Sequence, residues 1–115
     1  MTDRLPAATF SAVACPDGDT VCIAAAGEID MATAPKWRAV LLAAIEQPIP
    51  ARDVRIDLAE VTFMDASGIG ALISGREAAR RRGLGFTVQN PQGVVLRVFE
   101  ILGLTETLSL APARL

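Results

Sequence analysis

Histidine and tyrosine are missing from this 115-residue sequence, and the remaining aromatics are one Trp and four Phe. Without imidazole the chain lacks the usual general base and the commonest metal ligand, which argues against most hydrolytic and metal-dependent chemistry. No metal, cofactor or catalytic residue is therefore expected. Two cysteines, Cys15 and Cys22, are too few for a disulfide framework or a structural zinc site. The longest unbroken apolar runs, Val21 to Ala26 and Ala39 to Ile45, fall far short of the roughly 20 residues of a membrane span. The segment Met1 to Pro6 has no basic stretch leading into an apolar one, so no targeting peptide is read there and the cytoplasm is the expected location. A formal charge of −2 and scarce stacking groups argue against nucleic acid as a partner.

Just over half of the residues are apolar, enough for one modest core, and the expectation is a single domain over residues 1–115 with its core at about 9–110. Thr9 to Cys15 and Val21 to Ala26 flank Pro16-Asp17-Gly18-Asp19, and Asp-Gly between apolar runs signals a hairpin. With Asp17-Gly18 as its loop, Cys15 faces Thr20 and Val13 faces Cys22, which leaves the thiols diagonal and poorly placed for a disulfide. Thr33-Ala34-Pro35 reads as a helix start with Thr33 as N-cap. Trp37, Val40, Leu41, Ala44 and Ile45 then form one apolar face, and Pro48 and Pro50 stop the helix near Gln47.

Val54, Ile56 and Leu58 alternate with Arg55 and Asp57 as in a strand with one face in the core. From Ser67 to Arg82 the pattern is helical, with Ile69, Leu72, Ile73 and Ala79 as core stripe. Beside it Gly68, Ala71, Gly75 and Ala79 form a small-residue stripe, and Gly70 and Gly75 suggest close packing. Arg80, Arg81 and Arg82 read as a solvated C-terminal turn that complements the helix dipole. Leu84 to Gln89 is a further strand. Asn90-Pro91 leads into a third helix with Val94, Val95, Val98, Phe99, Ile101 and Leu102 as its apolar residues, and Leu108 to Leu110 adds a short edge strand. The order predicts an α/β fold, a mixed four- to five-stranded sheet with helices packed mainly on one face.

Unusual polar residues concentrate at two strand-to-helix loops. Asp30 ends one, and Asp65 with Ser67 ends the other; with parallel strands both loops emerge at the same sheet edge. Ser and Asp are both capping residues, so an ordinary N-cap is the plain reading of Ser67, and Asp65 serves equally well. A serine hydrolase built on Ser67 and Asp65 would want a base such as His, which the chain does not have.

Three segments carry a resemblance: Gly27-Glu28-Ile29-Asp30-Met31-Ala32-Thr33-Ala34-Pro35, then Asp57 through Gly70 with Met64-Asp65-Ala66-Ser67-Gly68 at its centre, then Val88-Gln89-Asn90-Pro91 with Val98 to Leu104. In this order and spacing they resemble the STAS domains of bacterial anti-sigma factor antagonists, over about Phe10 to Leu110. The resemblance implies a STAS-like sheet and a partner switch, in which the antagonist binds an anti-sigma factor with serine kinase activity and a phosphatase resets it. It implies that Ser67 is the phosphorylated residue and that Asp30, Asp65, Ser67 and Gly68 belong to the partner-binding site. Ala66 departs from the family pattern, where a second Ser or Thr is frequent, and so leaves Ser67 as the loop's one hydroxyl. A non-phosphorylated STAS scaffold module in a stress-signalling assembly is the alternative.

Overall fold

Short alternating segments separated by tight turns build the sheet. In the computed structural model, which describes residues 10–47 and 51–108, four strands lie in the order β1-β2-β3-β4: Ser11–Asp17 (β1), Thr20–Ile29 (β2), Asp53–Met64 (β3) and Gly85–Gln89 (β4). β1 runs antiparallel to β2, while β2, β3 and β4 are mutually parallel. Three helices, Ala34–Glu46 (α1), Ala66–Arg81 (α2) and Gly93–Ile101 (α3), follow β2, β3 and β4 in turn. Of the fifth strand expected at Leu108 to Leu110, Leu108 lies buried in a turn and the other two residues lie outside the described ones, as do Thr9, Pro48 and Pro50.

The hairpin loop is Gly18-Asp19, one residue later than the sequence suggested. Gly18 takes a φ of +66°, and Asp19 stays out of the left-handed region. That is the type II′ pattern, which needs glycine only at the first loop position. Placing Asp17 there would have forced a side-chain-bearing residue to positive φ. The shift moves every pairing by two residues, so Cys15 sits directly opposite Cys22 and Val13 opposite Ala24.

Both parallel crossovers, β2-α1-β3 and β3-α2-β4, step in the same direction across the sheet, and their right-handedness puts α1 and α2 side by side on one face. The core between these layers includes Trp37, Leu41, Leu72, Ile23, Ile56 and Leu58, all fully buried. Gly75 belongs to the contact between helices: a methyl group there would lie 3.5 Å from Leu41 Cδ1 and 3.6 Å from Ile45 Cδ1. Burying a side chain such as Leu72 gains about 1.5–3 kcal/mol, which outweighs the roughly 1 kcal/mol that a helical glycine costs.

Several expected core positions turn out otherwise. Ile73 is 39% exposed, and nothing approaches a methyl group placed on Gly70, so the close approach of α2 to its neighbours runs through Gly68 and Gly75 instead. On α3 only Val95 and Phe99 are buried, while Val94, Ile101 and Leu102 face outward; this short helix packs on β3 along one narrow strip. Arg82 does not simply face water. Its Nη1 donates to the carbonyls of Ile45 at 2.7 Å and Gln47 at 3.1 Å, satisfying acceptors that the end of α1 leaves open.

β3 also departs from simple alternation. Its register with β2 slips between Ala24 and Ala26 and again between Gly27 and Glu28, each time using one more residue on β3 than on β2. Such bulges turn the strand. Consequently Val54, Ile56 and Leu58 are buried at period two, but the next buried residues are Val61 and Met64, with Phe63 39% exposed.

Candidate functional site

The two bulges bring the ends of β2 and β3 level, with Ile29 paired to Met64, and the Asp65 amide donates to the Ile29 carbonyl at 3.2 Å. Asp30 and Asp65 therefore leave the sheet next to each other at one edge. Each immediately turns its Oδ1 back onto its own loop. Asp30 Oδ1 accepts from the amides of Ala32 at 2.9 Å and Thr33 at 3.2 Å. Thr33 is the N-cap residue of α1 as expected, but its hydroxyl does not cap the helix. It accepts from the Asp30 amide at 3.0 Å and donates to the Glu28 carbonyl at 3.0 Å, closing the loop on itself.

At the second loop the choice of cap is decided. Asp65 is the N-cap of α2, with Oδ1 accepting from the amides of Ser67 at 2.9 Å and Gly68 at 3.3 Å. Ser67 is thus the second residue of the helix rather than its cap. Its hydroxyl makes no hydrogen bond among the described residues, and the side chain is half-buried beside the exposed Ala66. Asp30 and Asp65 are also half-buried, and among the described residues neither carboxylate has a cationic partner: the ion pairs there are Arg52 with Asp19 and Arg80 with Glu77.

Gly68 is buried beneath this surface. A methyl group at that position would come within 2.6 Å of Met64 Cγ, 2.8 Å of Ile29 Cγ2 and 3.1 Å of the Ile29 carbonyl oxygen. Only a residue without a side chain lets the first turn of α2 settle onto the end of β2, and that approach holds Ser67 beside the Asp30 loop. The sequence-predicted residues Asp30, Asp65, Ser67 and Gly68 are brought together at one edge.

Two neighbouring apolar groups were not anticipated. Met31, next to Asp30, is 77% exposed, and Ile73 lies on the outer side of α2 with Ala66 and Gly70, at spacings of four and three residues. Met31 had a legible signal, an apolar residue in a loop outside any periodic run; Ile73 had none, because four residues after Ile69 it matches a core stripe. Between the helices Arg38 Nη1 donates to Ser74 Oγ at 2.8 Å. Among the described residues no three Cys, Asp or Glu side chains gather as metal ligands would, and no helix is long and apolar enough to cross a membrane. What this edge offers is an uncommitted hydroxyl at a helix N-terminus, flanked by two carboxylates and by exposed apolar surface.

A family model described as the STAS domain matches residues 12–114 of the chain. An anti-sigma-B factor antagonist of Listeria monocytogenes is 34% identical over 94 residues, covering 82% of this chain and 81% of that protein. Among solved structures, an anti-sigma factor antagonist from Mycobacterium paratuberculosis superposes with a TM-score of 0.78 at 26% identity, covering 95% of this chain and 90% of that one. The Bacillus cell-fate determinant SpoIIAA, solved in its phosphorylated form, superposes with a TM-score of 0.67 at 24% identity, covering 92% of each chain.

Proposed function

Because this chain belongs to the STAS domain family, with anti-sigma factor antagonists among its relatives, we propose that it binds an anti-sigma factor through the edge formed by Asp30, Asp65 and Ser67. In this reading the anti-sigma factor is also a serine kinase, phosphorylation of Ser67 ends the complex, and a phosphatase restores it. The observation that carries the reading is the division of roles at α2: Asp65 does the capping, and the Ser67 hydroxyl has no hydrogen bond among the described residues. That a fold relative has been solved in a phosphorylated form agrees with it.

The physics favours a switch between molecules. A phosphoryl group adds about −1.5 to −2 charges. The N-terminus of α2 tolerates an anion by roughly 0.3–1 kcal/mol, so the fold survives the modification. A partner shaped to the bare hydroxyl meets new bulk and new charge on a surface already acidic, and about 1.4 kcal/mol of lost complementarity weakens binding tenfold. The base and the nucleotide belong to the kinase, because the hydroxyl has no strong base beside it.

Incubation with ATP and an anti-sigma factor of the serine-kinase class should add one phosphate by intact mass, absent in Ser67→Ala, and should weaken the complex by at least about tenfold. Phosphate at another residue would overturn the site assignment. A complex whose affinity ignores phosphate on Ser67 would leave the scaffold reading in its place.

A further inference from the structure

We propose that Cys15 and Cys22 are a reversible disulfide site, closed across β1 and β2 near the hairpin end of the sheet. The two-residue loop makes Asp17 and Thr20 the first pair of the ladder, and alternation makes Cys15 and Cys22 the next pair of the same, doubly hydrogen-bonded kind. Pro16, which has no amide hydrogen, falls between them on edge strand β1, where its missing donor removes no ladder bond. Directly opposed residues project their side chains from the same face, with Cα atoms about 5.5 Å apart in a pair of this type, within the range that disulfides occupy. Their Cβ atoms start about 1.5 Å farther apart than a relaxed disulfide prefers, which favours a bond that is readily reduced.

A second observation concerns the neighbouring strand. Arg55 is the register partner of Cys22 on β3, and its Nη1 donates to Cys22 Sγ at 3.7 Å. Thiol-disulfide chemistry proceeds through an anionic sulfur, and a guanidinium at that distance is the counter-charge for it. Cys15 is exposed, whereas Cys22 is half-buried under Arg55. The sequence contains no third cysteine to compete within the chain.

These positions assign the steps. Hydrogen peroxide is attacked by Cys15, the sulfur open to solvent; the O–O bond breaks, Cys15 becomes a sulfenic acid and water leaves. Cys22 then gives up its proton and attacks the Cys15 sulfur, and the S–O bond breaks as the sulfur–sulfur bond forms. The hydroxide expelled takes up the proton given by Cys22 and leaves as a second water. Two electrons pass from the two thiols to the peroxide, and a dithiol reductant reverses the change. The product staples the edge strand β1 to β2. Cys22 and Ile29 lie seven steps apart along β2, about 23 Å of strand, so the bond closes at the end of the sheet away from Ser67.

The test is peroxide treatment of the full chain, followed by intact mass under non-reducing conditions and peptide mapping. The expected result is a monomer lighter by two hydrogens, both thiols protected from alkylation, a linked Cys15–Cys22 peptide pair, and full recovery with dithiothreitol. Cys22→Ser should instead stop at an oxygenated Cys15. In Arg55→Gln, shown to be folded by circular dichroism, the bond should form several-fold more slowly. A wild-type product that carries sulfinic acid on Cys15, or dimers linked through Cys15, would overturn the site. An unchanged rate in Arg55→Gln would overturn the part given to the guanidinium.

Discussion

Removing the Asp65 carboxylate should destabilise the protein while removing the Ser67 hydroxyl should not, although the two residues share one turn. Asp65 Oδ1 satisfies two of the four amides that the start of α2 leaves open, at 2.9 and 3.3 Å. Loss of an N-cap costs about 0.5–2 kcal/mol, and the half-buried, charged acceptor at the positive end of the helix places Asp65→Ala near about 2 kcal/mol. The Ser67 hydroxyl makes no hydrogen bond among the described residues, and Ala is the better helix former by about 0.5 kcal/mol, so Ser67→Ala should be neutral or slightly stabilising. Urea unfolding followed by circular dichroism reads the contrast directly. At a slope of about 2 kcal/mol per molar, Asp65→Ala lowers the midpoint by about 1 M while Ser67→Ala stays within about 0.2 M of wild type. Asp65→Asn, which keeps a capping oxygen, should lose only a few tenths of a kcal/mol. If Ser67→Ala proves as costly as Asp65→Ala, the hydroxyl is structurally engaged and the argument for an uncommitted switch residue fails.

Gly68→Ala should destabilise by about 2 kcal/mol or more, because the new methyl group overlaps Met64, Ile29 and the Ile29 carbonyl, whereas Gly70→Ala, with open space around it, should gain up to about 1 kcal/mol; equal effects in a denaturant titration would contradict the packing of α2 on β2. Arg82→Ala should cost about 1 kcal/mol by uncovering the Ile45 and Gln47 carbonyls, with faster amide exchange in the last turn of α1 as the readout that a purely surface arginine would not move.

What the sequence revealed was what strand and helix periods encode. The order of elements and the parallel half of the sheet follow from alternation at Val54, Ile56 and Leu58 and from the helical spacing of Trp37, Leu41, Ala44 and Ile45. The convergence of Asp30 and Asp65 followed from topology alone. The misses came from features that periodicity does not register. A one-residue choice of hairpin loop, decided by where positive φ falls, changed which cysteine faces which. The bulges in β3 have no sequence period, and Ile73 matches the stripe of Ile69 and Leu72 while lying outside the area that α1 and the sheet can cover.

The proposed phosphorylation of Ser67 would bring two intramolecular effects of opposite sign into competition, and their sizes indicate where the proposed switch would operate. The helix N-terminus favours the new anion by roughly 0.3–1 kcal/mol. The Asp65 carboxylate, held on the same turn, opposes it; unit charges 4 Å apart repel by about 1 kcal/mol in water and about 4 kcal/mol at an effective dielectric of 20. Asp30, Asp65 and Ser67 are half-buried, so in the free protein water would hold the repulsion toward the lower part of that range, scaled up by the about −1.5 to −2 charges of a phosphate, and it would outweigh the helix contribution only modestly. In the proposed complex, docking a partner over the edge would remove the water. The same repulsion then rises toward the upper figure while the helix contribution grows less, since the amides of Ser67 and Gly68 already donate to Asp65. On the proposed reading the penalty for phosphate would therefore fall mostly on the complex, and the carboxylate that builds the turn would also be what makes the turn responsive to charge.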